Sequence, residues 1–327
     1  MHLHEGGGTS AVKRILADAF VPHVFVIGEN HMARRIAIVG STGAQGAAVV
    51  EAALAQGLTV RALARSVDRI TDRHGDRVEA FAVDLLDEKA VARALTGVDA
   101  AFAHPPIPSD PSHPERFLSN ILAAALRARL PLLVFSTSGP TGDRYEQVPM
   151  IAGNTAMARA VLSSGVPAIV LKPTIYLENL LVPLFAPGLL TNGVLDYPPT
   201  RPSQKLSWTS HKDQALVAVA AFARTNLAGQ ASEIASAMPA TGPELAGILH
   251  DALGRPVAFD PITPDAFGQR VADALGVPPV APALSALYQA IGKLSDVGAV
   301  IDIAPVEAAF KIKLNTVRQR VAEWPAL

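Results

Sequence analysis

The chain has no cysteine among its 327 residues. That excludes disulfides, thiolate catalysis and cysteine-ligated zinc, and it suits a reducing compartment. Aromatic residues are scarce at 5%, and charged residues reach only 17% with a net charge of −1. A near-neutral chain lacks the clustered lysine and arginine that nucleic-acid binding requires. No run of about 18 apolar residues free of charges and breakers occurs, so no membrane span is expected. No His, Asp and Glu cluster has ligand spacing, so no metal site is expected. No lysine occurs between Lys89 and Lys172.

What is present is apolar, at half of all residues, enough for a sizeable core in one large or two smaller domains. The most pointed stretch is Ile36-Ala37-Ile38-Val39-Gly40-Ser41-Thr42-Gly43-Ala44-Gln45-Gly46. A β-branched run stops at a glycine, two more glycines follow at intervals of three, and an alanine-rich segment begins. This spacing predicts a strand, a tight turn and a helix N-terminus. The first glycine permits the turn, the second lets the backbone approach phosphates, and the third lets the helix pack on the sheet. Free N–H groups and the positive end of the helix dipole then face an anion.

Upstream, residues 1–33 lack the basic start and long apolar middle of a signal peptide. They read as a dispensable N-terminal extension with a short helix over Ala11 to Phe20. His2 and His4 alone do not supply the ligands of a metal site.

Downstream, helices are expected over Ala47–Gln56, Asp87–Leu95, Phe117–Arg129 and Asn154–Ser163. Strands are expected over Leu58–Ala64, Arg77–Val83, Ala100–Ala103, Leu132–Phe135 and Ala168–Leu171. Such alternation specifies βαβ units, a mostly parallel sheet, and a ligand at the carboxyl ends of the strands. Continuous apolar runs fit strands covered on both faces. Beyond Asn179, prolines break the pattern. Helices follow near Asp213–Arg224, Pro243–Leu253 and Pro264–Leu275, with a strand near Glu233–Ser236. The fold class is therefore α/β, a doubly wound, mostly parallel Rossmann sheet with a smaller mixed C-terminal lobe. Residues 34–180 would form the nucleotide-binding domain and 181–327 the substrate-covering lobe.

Cofactor choice turns on the end of the second strand. NAD-binding folds of this type place an acid about 20 residues past the glycines, for the ribose 2′-OH. Here Arg65 stands at that place, and no acid occurs between Glu51 and Asp68. A guanidinium matches a 2′-phosphate in a planar fork, whereas a carboxylate repels it. NADP(H) is therefore favoured over NAD(H). Arg61 is a second candidate but falls mid-strand. Asp84 either accepts from the adenine amino group or caps the helix starting near Asp87.

Four segments in order carry a resemblance: the glycine turn, Leu63-Ala64-Arg65-Ser66, Val83-Asp84-Leu85, and Leu171-Lys172-Pro173-Thr174-Ile175-Tyr176-Leu177-Glu178-Asn179. Together they resemble the NmrA-like branch of the atypical short-chain dehydrogenases/reductases, the last segment being similar to that family's Arg-Pro-Thr-x-Phe-x-Glu-Asn signature. Thr209 to Asp213 and Gly254 to Val257 are similar to later family segments. The resemblance implies NADP binding by Gly40, Ser41, Thr42, Gly43, Ala44, Gln45 and Gly46, with Arg65, Ser66, Asp84 and Leu85. It implies nicotinamide contacts near His104, along Ser136, Thr137 and Ser138, and along Pro173, Thr174, Ile175 and Tyr176.

The chain departs from the wider superfamily at one point. Its reductases use Tyr-x-x-x-Lys, and here Met150 and Asn154 occupy those positions, leaving Asn154 as a cofactor contact. The lysine-free stretch excludes the pair anywhere in this segment. His104, Tyr145 and Tyr176 are the remaining candidate proton donors. His104 has a near-neutral intrinsic pKa, Tyr145 lies in a loop that could swing in, and Tyr176 follows a strand end. Lys172, Glu178 and Asn179 read as structural, and Ser210 and Asp213 as groups at a helix start.

The expected activity is NADPH-dependent reduction of a small, mostly apolar or aromatic acceptor, such as a quinone, enone, aryl carbonyl or azo compound. The alternative is a non-catalytic NADP(H)-sensing regulator. Ile107, Leu180, Leu181, Val182, Leu184 and Phe185 either rim the acceptor pocket or pack the lobes together. A cytoplasmic setting is expected, and a homodimer or a regulatory protein partner stays open.

Overall fold

The computed structural model describes residues 34–105, 113–198 and 201–324. The expectations for residues 1–33 and for Ile107 lie outside the described residues.

The first half alternates as the apolar pattern dictates. In order come β1 (Arg35–Val39), α1 (Ala44–Ala55), β2 (Thr59–Ala64), α2 (Val67–His74), β3 (Glu79–Ala82), α3 (Glu88–Leu95), β4 (Ala100–Ala103), α4 (His113–Ala128), β5 (Leu133–Ser136), α5 (Pro149–Ser163) and β6 (Ala168–Pro173). After β7 (Ile175–Tyr176), α6 (Pro187–Asn192), β8 (Val194–Leu195) and β9 (Trp208–Thr209), the chain returns through α7 (His211–Phe222) to β10 (Ala231–Ile234). It finishes with α8 (Gly242–Leu253), β11 (Ala258–Phe259), α9 (Pro264–Leu275), α10 (Val280–Gly292), α11 (Ala304–Phe310) and α12 (Val317–Ala322).

The main sheet has seven strands in the order β10-β6-β5-β4-β1-β2-β3, every pair parallel. Ile36 registers with Val60 on one side and Ala100 on the other. Ile36, Ala37 and Ile38 are fully buried, as a strand covered on both faces must be. The order of strands reverses between β4 and β1. In open α/β sheets the crevice at that switch point takes the ligand.

The seventh strand comes from beyond residue 180. Residues 211–234 supply α7, which packs on α1, and β10, which pairs with β6. Helix α7 is buried almost all round, from Ala215 to Phe222 apart from one residue, so its alanine-rich sequence shows no polar face. The rest of the C-terminal part has its own core. Leu195, Tyr197, Trp208, Phe267 and Tyr288 pack there with Leu245 and Val317, and the rings of Tyr197, Phe267 and Tyr288 meet edge to face. Two short parallel pairs, β7 with β9 and β8 with β11, frame it. No described helix is long and apolar enough to cross a membrane.

Candidate cofactor site at the carboxyl edge of the sheet

The glycine turn leaves β1 at Gly40, whose φ is +69°, in the left-handed region that glycine adopts without strain. A Cβ on Gly46 would lie 2.2 Å from the Gly40 carbonyl, so the third glycine is required for α1 to approach. The turn's carbonyls all face the protein. Gly43 N–H donates to Gly40 O at 2.8 Å, and Ala47 N–H to Gly43 O at 2.9 Å. His74 Nε2 lies 2.9 Å from Ser41 O, and Arg73 Nη1 donates to Thr42 O at 3.2 Å. The N–H groups of Thr42, Ala44, Gln45 and Gly46 donate to no protein acceptor among the described residues. Free donors converging at a helix N-terminus are an anion site.

The expected cofactor contacts follow other strand ends along the same edge. Arg65 follows β2, is exposed and has no partner among the described residues. Ser66 caps α2, accepting from Arg69 N at 3.4 Å. Arg61 is buried and donates to Ala94 O and Thr96 O at 2.9 Å each, which makes it a mid-strand structural group. Asp84 follows β3 and accepts from Leu86 N at 2.9 Å; Asp87, not Asp84, caps α3. Leu85 O accepts from Asn120 at 2.7 Å.

His104 follows β4 and closes the switch-point crevice. Its Nε2 sits 2.8 Å from where a Cβ on Gly40 would stand, shielded from solvent and without a protein partner. Its Nδ1 lies 3.1 Å from Pro105 O. A carbonyl only accepts, so Nδ1 carries the proton and Nε2 presents a lone pair. Burial pushes the imidazole down to about 4, the Pro105 carbonyl opposing and His211 reinforcing.

Tyr176 lies in a polar knot that the sequence does not spell out. Its hydroxyl donates to Gln214 Oε1 at 2.6 Å and lies 2.9 Å from Gln45 Oε1. Ser136 Oγ donates to Gln214 Oε1 at 2.9 Å, and Gln45 Nε2 to Ser138 Oγ at 3.1 Å. Ser138 has φ +60°, a costly conformation for a non-glycine residue. Burial holds the Tyr176 phenol far above its ordinary range. The Tyr176 ring packs on His211 with centroids 4.4 Å apart. Gln214, His211 and His74 are thus site neighbours that motif reasoning missed. Gln45, inside the glycine turn, and Ser136 and Tyr176, through the family resemblance, carried a signal.

Other expected contacts are engaged within the protein. Thr137 Oγ1 donates to Gly139 O at 2.7 Å, and Thr174 Oγ1 lies 2.8 Å from Thr209 Oγ1. Pro173 ends β6, buried in register with Ile234. Asn154 donates to Pro140 O at 3.0 Å, and Met150 precedes it by one turn, 40% exposed. Tyr145 does not hang in an open loop: it is buried in the C-terminal core, and burial pushes it up to about 12. Leu180 is fully buried there, and Leu184 and Phe185 pack against the same core, whereas Val182 stays exposed.

The signature's Glu178 and Asn179 are structural. Glu178 accepts from Ser210 Oγ at 2.7 Å and from His211 N at 3.1 Å, fixing the start of α7. Asn179 donates to Tyr197 OH at 3.1 Å. Lys172 pairs with Asp143 at 2.6 Å.

The model of the NmrA-like family matches residues 32–324. A (4-alkanoyl-5-oxo-2,5-dihydrofuran-3-yl)methyl phosphate reductase of Streptomyces griseus is 32% identical over 238 residues, 71% of this chain and 78% of that protein. An NAD(P)H azoreductase of Xenophilus azovorans is 29% identical over 272 residues, 83% of this chain and 91% of that one. Among solved structures, the Citrobacter sp. triphenylmethane reductase complexed with NADP(H) superposes with a TM-score of 0.70 at 20% identity, over 88% of this chain and 98% of that one. The Escherichia coli NADPH-dependent quinone oxidoreductase gives the same values, a TM-score of 0.70 and 20% identity over 88% and 98%.

Proposed function

The chain belongs to the NmrA-like family, and from that premise we propose that it is an NADPH-dependent reductase of small, mostly apolar acceptors such as quinones, enones, aryl carbonyls or azo compounds. The carrying observation is the glycine turn with its outward N–H groups beside the unpaired Arg65. The N–H groups suit a pyrophosphate and the guanidinium suits a 2′-phosphate. The reductase names of the two sequence relatives point the same way.

The bound cofactor would supply the hydride; the protein supplies position and exclusion of water. His104 presents an unprotonated Nε2, so at neutral pH it accepts a hydrogen bond and gives no proton. Burial raises the Tyr176 and Tyr145 phenols and no lysine opposes it among the described residues, so each is a weaker acid than a free phenol. Protonation of the product therefore falls to water. A quinone takes up hydride to give a stabilised phenolate-type anion and needs no strong acid, which favours quinones over simple ketones. Among the described residues of the expected rim, Val182 is exposed and Leu181, Leu184 and Phe185 are partly so.

The test is NADPH oxidation against a panel of quinones, azo dyes, enones and ketones. Turnover with quinones or azo dyes above ketones supports the reading. NADPH binding with no turnover on any acceptor contradicts it and leaves the sensing regulator, which the absent dyad favours.

A further inference from the structure

We propose that His74, assisted by Arg73, is a positioning residue that aims the pyrophosphate-binding backbone of the glycine turn. The inference rests on the cofactor reading above and assigns a role to a side chain outside every motif. His74 is the last residue of α2, and its side chain is fully buried beneath the turn. Its Nε2 lies 2.9 Å from the Ser41 carbonyl, which can only accept, so Nε2–H is the donor. A trans peptide carries its C=O and N–H on opposite sides. Holding the Ser41 carbonyl inward therefore turns the Thr42 N–H outward, and that N–H has no protein acceptor among the described residues. Arg73 anchors the next carbonyl, donating to Thr42 O at 3.2 Å, while the Gly43 N–H of that peptide closes the turn on Gly40 O at 2.8 Å.

The histidine is itself fixed. Its Nδ1 lies 3.3 Å from Glu51 Oε1 on α1. Glu51 is held by Arg77 in a two-pronged pair at 2.8 Å per contact, and Arg77 Nε also donates to the His74 carbonyl at 3.1 Å. The Arg77 guanidinium keeps the Glu51 carboxyl below its ordinary range, so the carboxylate stays charged beside the ring. Two helices that flank the turn are thus joined through one imidazole whose free end grips the turn's backbone. Without it, the Ser41–Thr42 peptide loses its inward anchor and can rotate its N–H away from the anion.

The test compares wild type with His74→Leu and His74→Gln by calorimetry, using NADPH and adenosine 2′-phosphate as probes. Adenosine 2′-phosphate reports the Arg65 end and contains no pyrophosphate. The Gln amide can reach the Ser41 carbonyl as Nε2 does; Leu cannot donate. Expected is roughly tenfold weaker NADPH binding by H74L, the loss of one well-aimed backbone donor. Adenosine 2′-phosphate affinity should be unchanged, and H74Q should recover NADPH binding to within about threefold of wild type. If H74L does not fold, His74→Asn replaces it, since the shorter amide serves Glu51 but stops short of Ser41. NADPH binding by H74L equal to wild type overturns the inference and leaves the cofactor reading standing. Equal weakening of both probes also overturns it, because a general structural loss then accounts for the effect. Failure of wild type to bind NADPH overturns the cofactor reading and this inference with it.

Discussion

At the scale of single residues, three side chains or their absence set the chemistry. Arg65 stands free at the end of β2. If Arg65 holds the 2′-phosphate as proposed, Arg65→Ala should weaken NADPH by about 10- to 100-fold while leaving NADH within about twofold; paired titrations check this. Gly46→Ala should abolish binding of either nucleotide, because its Cβ would meet the Gly40 carbonyl at 2.2 Å and push α1 off the turn. His104 gives a pH signature. Its folded value of about 4 lies below the ordinary 6.5, so the unfolded chain binds the extra proton first. Its contribution to stability is therefore complete above about pH 6.5 and is lost as pH falls toward about 4. His104→Phe should flatten the stability curve in that window, as denaturant melts at several pH values would show. Gly40, Gly46 and Arg65 were legible in the sequence because each serves local geometry or a fixed distance from the turn. His74 and Gln214 were not, because their partners lie 33 and 78 residues away, and no local rule links them.

At the scale of elements, the alternating strands and helices were readable because each must bury a continuous apolar run. The ends were less so. Helix α5 starts at Pro149, a turn and more before Asn154, since proline at the first helical position is no obstacle. Helix α2 ends in a short 3-10 turn at Gly75–Arg77, which shortens β3 to Glu79–Ala82. The small strands β7, β8, β9 and β11 span two residues each, too few for any periodicity to show. The knot that ties β5, β7, α1 and α7 yields a prediction at this scale. Gln214→Leu removes the acceptor shared by Tyr176 and Ser136; Tyr176 keeps Gln45 Oε1, and the buried Ser136 hydroxyl is left without an acceptor. A loss of about 1–3 kcal/mol in unfolding free energy is expected, measurable by urea titration.

At the scale of the whole molecule, the C-terminal part is bolted to the sheet by a buried ion pair. Asp213 at the start of α7 pairs with Arg320 of α12, and Ser236 Oγ and Asn315 N also donate to its carboxylate. Asp213 and Arg320 are 1% and 9% exposed; Arg320 also pairs with Glu323 at 3.1 Å, so it is the loss of Arg320 that leaves an uncompensated buried charge, on Asp213. Arg320→Leu should cost roughly 3–5 kcal/mol of stability, and a thermal melt should reveal it. Nothing in the sequence joins residue 213 to residue 320, which is why Asp213 reads from sequence only as a helix-start acid. The return of residues 211–234 to the sheet had the same origin: β10 was visible as a strand, but its register partners on β6 lie 61 residues upstream. The central claim is that this assembly holds NADPH by its phosphates. The most direct test is calorimetric titration of the protein with NADPH and NADH. The account predicts binding of NADPH at least about tenfold tighter than NADH, a gap of about 1.4 kcal/mol. Equal affinity for the two, or binding of neither, would contradict it.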